Sequence, residues 1–322
     1  MEHRVRTALG LIVAVVTACG AALSQNPDPT AAAKYGWGFR NFSDTMFSWD
    51  IYCHSYFGVP VDPNGTWASA TFDKAFYELA FKNKLPAPGG NGSSSAGNCF
   101  GISIMSLMVN RFGGYYGYCA PTSAYQGDTT SNGTGPSDPA LHRIINIMHG
   151  HQLSAEVLET YLDQAQSGHS QNCNNGFQLA KQTIGKEGPC LVCITNQPNP
   201  ADGSGGHVLI AYGTSDDGAG HGRIWVVDPN RIWVANNPSD RGWYQGDSNH
   251  IDCDLGSGKW TFKMAGTGAS TNWPSGPGNL IIVPASLAGP PGRVPSSLGL
   301  ALGDVLNKLL LTDWMSVQSP RK

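Results

Sequence analysis

The chain has 322 residues, enough for one large or two small domains with a packed core. Its 20 basic residues against 23 acidic ones leave a net charge of −3, which argues against a polyanion-binding surface, so no nucleic-acid partner is expected. Charged residues make up 13% and aromatic ones 10%, alongside 41 Gly and 21 Pro, a loop-rich globular composition too aromatic for disorder.

At the N-terminus His3, Arg4 and Arg6 precede an apolar run over 8–18 and then small residues, the layout of a secretory signal expected to occupy 1–24. Ala22-Leu23-Ser24 reads as a signal-peptidase site, whereas Val16-Thr17-Ala18-Cys19 reads as a lipobox that would leave a lipid anchor on Cys19. Simple secretion is the preferred reading, and either one places the mature chain outside the cytoplasm. The run is shorter than the ~20 residues a span needs, and no other stretch reads as one, so no integral membrane span is expected in the mature chain.

Eight cysteines bear on the same question. With Cys19 in the signal, Cys53, Cys99, Cys119, Cys173, Cys190, Cys193 and Cys253 remain, an odd set. An oxidising compartment predicts a disulfide framework among six of them and one thiol left over, which is then a candidate reactive residue.

Residues 25–69 read as a linker followed by an aromatic N-terminal extension, and 72–82 as a helix on its apolar spacing. The Gly/Ser run 89–96 is a loop. It leads into Gly97-Asn98-Cys99-Phe100-Gly101, after which Phe100, Ile104, Leu107 and Met108 recur at helical spacing. Cys99 therefore falls at the start of a mostly buried helix that should end near 112–114. Asp138-Pro139 opens the next helix, with Asp as N-cap and Pro in the first turn. Further helices are expected over 154–166 and 176–184.

After Gly188-Pro189 the pattern changes to buried strands over 190–195, 207–212 and 223–227, with others at 259–263 and 279–283. Helices first and a mostly antiparallel sheet afterwards predict an α+β fold. The tail 288–322 begins at the breaker Gly289-Pro290-Pro291-Gly292 and carries an amphipathic stretch over 298–311 that reads as a docked helix or frayed end.

Three features carry chemistry. Cys99 sits at a helix N-terminus, where a thiol is readily held as thiolate. His207 opens the apolar strand Gly205-Gly206-His207-Val208-Leu209-Ile210-Ala211-Tyr212-Gly213, and Asp228 ends the strand Ile224-Trp225-Val226-Val227. If these two strands form a hairpin, His207 and Asp228 lie near its open end. There a carboxylate can fix an imidazole in one tautomer while the imidazole activates a nucleophile.

Taken together, Gly-Asn-Cys99-Phe-Gly, Gly-Gly-His207-Val-Leu-Ile-Ala-Tyr-Gly and Val-Val-Asp228-Pro-Asn resemble the papain-like cysteine peptidase superfamily. The nearest members are bacterial papain-like proteins related to the bacteriocin-processing peptidases. The resemblance covers about 70–287, which it marks as a catalytic domain with a papain-like fold: a helical N-terminal half and a central Cys-bearing helix packed on the sheet. It implies Cys99 as nucleophile, His207 as its ion-pair base and Asp228 as orienting acid. Such enzymes carry a Gln about six residues before the Cys as oxyanion donor; position 93 here is Ser, which leaves Asn91 or Asn98 as substitutes together with the Cys99 N–H.

The expected activity is hydrolysis of a peptide or amide bond in a peptide or protein substrate, by a monomer, with no cofactor or metal. A transglutaminase-type acyltransferase uses the same residue order, and a non-catalytic binding module on the same scaffold is the third reading. Cys190-x-x-Cys193 lies in a strand and reads as two disulfide half-cystines, and His149-Gly-His151 as a surface pair at a helix end. Asn41, Asn64, Asn91 and Asn132 fit the N-glycosylation sequon, which has meaning only in a eukaryotic host.

Overall fold

The computed structural model describes residues 26–44, 46–62, 70–82, 97–127, 135–166, 169–195, 206–233, 238–245, 248–263, 272–273 and 278–294, and every structural statement below is made of them. The signal segment, Asn91 in its Gly/Ser loop and the amphipathic stretch 298–311 lie outside the described residues.

Short helices α1 (Ala31–Tyr35) and α2 (Trp49–Tyr56) come first, and Ser48 caps α2 by accepting from the Ile51 N–H. Helix α3 (Ala70–Phe76) runs on into a π turn over Tyr77–Phe81, so the helix expected at 72–82 changes its pitch halfway. Helix α4 (Cys99–Phe112) is buried at every residue from 99 to 109, the signature of a helix packed on all sides. It ends at Gly113, whose φ of +69° is a left-handed C-cap that a side chain would strain. Helix α5 (Pro139–Gly150) starts on Asp138, which accepts from the Ala140 N–H at 2.9 Å, with proline in the first turn as its sequence predicts. Helices α6 (Ala155–Gln166) and α7 (Cys173–Glu187) follow, the latter longer at both ends than 176–184.

Seven strands then build one sheet: β1 (Cys190–Thr195), β2 (Gly206–Asp216), β3 (His221–Val227), β4 (His250–Asp254), β5 (Lys259–Lys263), β6 (Asn272–Trp273) and β7 (Leu280–Val283). Their order is β6-β5-β4-β3-β2-β1-β7, and every neighbouring pair is antiparallel. Helices α8 (Pro238–Gln245) and α9 (Ala285–Ala288) complete the described set. The chain is thus mixed helix and sheet, with the long helices ahead of an antiparallel sheet. Helices α4 and α7 both pack on β1 and β2, the apolar middle of that sheet. No helix among the described residues is long and apolar enough to cross a membrane.

Three expectations are corrected. The region read as linker and extension belongs to the core: Tyr35, Trp37, Phe39, Phe47, Ile51 and Tyr52 are buried in the same cluster as α4 and the sheet. Its polar atoms are committed too, since Trp37 Nε1 donates to the Ile102 carbonyl at 3.1 Å and Ser106 Oγ to the Tyr35 carbonyl at 2.7 Å. Next, the disulfide framework is absent. All seven described cysteines are free thiols, and all but Cys119 are buried, where a thiol serves as a small apolar filler. Burial pushes the Cys193 thiol up to about 12 and raises Cys190 as well, so both stay protonated at neutral pH. Finally, His149 and His151 are buried, not a surface pair: His149 Nδ1 accepts from the Gly101 N–H at 3.4 Å, and His151 Nδ1 donates to the Ala288 carbonyl at 2.8 Å.

Candidate active site

Strand register explains why His207 meets Asp228. Ile210 pairs with Val227 and Ala211 with Val226, so Asp228, one residue past β3, falls beside Leu209 and diagonal to His207. The loop of this hairpin lies at the far end, between Asp216 and His221. Both candidate residues therefore sit at its open end, as the hairpin reading of the sequence expects.

There the two side chains join. His207 Nε2 donates to Asp228 Oδ1 at 2.8 Å, with the pair 3% and 0% exposed. The Asp228 carboxylate also accepts from the Asn230 N–H at 2.8 Å, and the Tyr244 hydroxyl accepts from the Asp228 N–H at 3.2 Å. These bonds fix the carboxylate in place, while Oδ2 is buried without a hydrogen-bond partner. A buried carboxylate with one bare oxygen demands a cation beside it.

Cys99 is 9% exposed and lies close enough to the His207 imidazole to help raise it. With Nε2 turned to Asp228, Nδ1 is the ring nitrogen left for a second partner. Burial by itself would push His207 down, but the Asp228 charge and hydrogen bond, aided by Cys99, outweigh it and raise the imidazole to about 10. Burial likewise pushes Asp228 up, and His207, the Asn230 N–H and the Arg231 charge together bring it below the usual carboxylate value. The imidazole is thus protonated at neutral pH and holds a proton between an acid and a thiol.

Three contacts place Cys99. Gly101 lets α4 cross α5 closely, because a Cβ there would overlap the Ile145 carbonyl oxygen. Ser103 Oγ donates to the Val208 carbonyl at 3.4 Å, tying α4 to β2. Upstream, Asn98 Nδ2 donates to Asp44 Oδ2 at 2.9 Å and to Asn146 Oδ1 at 2.8 Å, and Asp44 pairs with His142 at 3.0 Å. Both amide protons of Asn98 are thereby used, which corrects its assignment as an oxyanion donor; it anchors the loop before the nucleophile instead.

Sequence reasoning missed the strand of chain that stitches the site together. The Asn41 N–H donates to the Pro229 carbonyl at 2.9 Å, and the Asn98 N–H to the Phe42 carbonyl at 2.7 Å. Residues 41 and 42 thus bridge the turn after Asp228 and the turn before Cys99. The Asn41 carboxamide lies directly on Gly97, where a Cβ would overlap its Nδ2. The signal visible in sequence was only the Asn41-Phe42-Ser43 sequon, which points to a different role.

A cleft of about 360 Å³ lies elsewhere, at the loop end of the hairpin, lined among others by Asp216, His221, Arg223, Asp252 and Lys259. No His/Cys/Asp/Glu cluster among the described residues could hold a metal ion. No protein-family model matches this chain, and no curated protein or solved structure does either.

Proposed function

We propose that this chain is a secreted papain-like thiol hydrolase that cleaves a peptide or amide bond through an acyl-enzyme on Cys99. One observation carries the reading: a buried imidazole held between a buried carboxylate and a thiol at a helix N-terminus. A buried ion pair costs desolvation and is a poor device for stability alone. It is well suited to keeping a thiolate and a proton donor side by side.

In this mechanism the Cys99 thiolate attacks the substrate carbonyl carbon, and the carbonyl electrons move to oxygen. Collapse of that tetrahedral species breaks the C–N bond as His207 gives its proton to the leaving amine, leaving a thioester. Water then attacks the thioester, His207 takes its proton, and the free acid leaves with Cys99 restored. Asp228 keeps the imidazole in one orientation throughout and stays ionised.

The test is alkylation by iodoacetamide with peptide mapping. Cys99 should react at least tenfold faster than the exposed Cys119, and the advantage should vanish in His207→Ala. Peptide turnover should drop to background in Cys99→Ala, and full turnover in that variant sinks the reading. Release of free acid, rather than incorporation of an added primary amine, separates hydrolysis from acyl transfer.

A further inference from the structure

Acyl transfer places negative charge on the former carbonyl oxygen, and a site that stabilises it needs preorganised N–H donors. One is the backbone N–H of Cys99, the first residue of α4, which has no intrahelical carbonyl to bond. The second is not Asn98, whose two amide protons are committed to Asp44 and Asn146.

Asn41 has the features that donor needs. Its backbone is held firmly by the Pro229 carbonyl, and its neighbour Phe42 accepts from the Asn98 N–H. Among the described residues its side chain makes no hydrogen bond: Oδ1 is buried without a partner, and Nδ2 rests against Gly97, two residues before the nucleophile. Burying a carboxamide whose oxygen finds no partner is costly, so packing alone is a poor reason to keep the group here. The absence of a side chain at Gly97 is what admits the group to this position.

We infer that Asn41 Nδ2 is the second oxyanion donor, working with the Cys99 N–H on the tetrahedral intermediate. This rests on the thiol-hydrolase reading above and assigns a catalytic residue to it. The donor reaches the site from an N-terminal segment rather than from the loop that precedes the cysteine.

The test compares two reactions of Cys99. Acylation by p-nitrophenyl acetate, read as the nitrophenolate burst, passes through an oxyanion, whereas alkylation by iodoacetamide does not. Protein from a bacterial host is required, because 41–43 is a glycosylation sequon. Asn41→Ala and the isosteric Asn41→Asp, which lacks the N–H, should slow acylation by roughly a hundredfold. Their alkylation rates should stay within about twofold of the parent. Unchanged acylation in both variants overturns the assignment. So does a parallel fall of both rates in both variants, which would make Asn41 a structural support. If parent Cys99 is neither acylated nor alkylated faster than Cys119, the thiol-hydrolase reading fails and takes the donor with it.

Discussion

The β2–β3 hairpin has two ends, and they are built on opposite plans. At the open end His207 and Asp228 are 3% and 0% exposed, so their charges act on each other with little screening. At the loop end Arg223 faces Asp252 at 3.6 Å and Lys181 faces Asp216 at 3.4 Å, on side chains 35–59% exposed. A cleft of about 360 Å³ belongs to the loop end, yet its ion pairs are surface pairs of a kind worth about 0–1 kcal/mol. The open end holds a histidine raised to about 10. A cleft by itself does not mark a site; groups whose surroundings make them want a partner do.

The sharpest way to break this contrast is Asp228→Asn. Without the carboxylate the largest raising influence on His207 is gone, and burial, opposed only by Cys99, pulls the imidazole down from its parent value. Turnover should fall on the order of 10²–10⁴-fold. In the parent, activity that needs protonated His207 should decline only as pH rises through about 10, and in the variant that alkaline limb should move to lower pH. The stability carried by the raised imidazole is complete below its ordinary value of 6.5 and is lost as pH rises toward 10. The gap in Tm between parent and variant should accordingly narrow over that window, and thermal melts at stepped pH check it.

Asn98→Ala should have the next largest effect. It strands buried partners on Asp44 and Asn146, at a cost of about 1–3 kcal/mol in urea unfolding, and lowers turnover by loosening the loop before Cys99. His151 tests the same logic away from the site. Burial holds it down to about 4, so the unfolded chain binds its proton first, and stability should fall as pH drops from 6.5 toward 4. His151→Gln should flatten that part of the profile. The smallest effect belongs to the loop end: Arg223→Ala should change stability by less than about 1 kcal/mol and leave peptide turnover unchanged. A large loss of turnover there would shift attention to the cleft at the loop end.

Much of this was legible in the sequence, for reasons that differ by element. Helix α4 and strand β1 announce themselves because each is mostly apolar and bounded by glycine or proline. Strand β4 was hidden: His250, Asp252 and Asp254 point outward, and only Ile251 and Cys253 mark its buried face. The extension 25–69 was misread because its rings are scattered along the chain. In space Tyr52 gathers Trp49, Tyr56, Phe76, Tyr77 and Phe81 around itself. Counting cysteines singled out Cys99 through an argument that the structure removes, since all seven are free. What distinguishes Cys99 is His207 beside it, and the order Cys-His-Asp predicted that neighbour. Asn41 could not be found this way, because only the fold brings it onto Gly97.

The bridging role of residues 41 and 42 also sets an order of events in time. Its bonds join 41 to 229 and 42 to 98, and the nucleophile must meet a histidine in a distant strand. These are contacts of high sequence separation, whose loop-closure entropy is paid before any of them rewards it. Helix formation within α4 and α5 needs none of them. During refolding, far-UV ellipticity should therefore recover ahead of Cys99 reactivity, and the interval between the two signals would time the closing of the site itself.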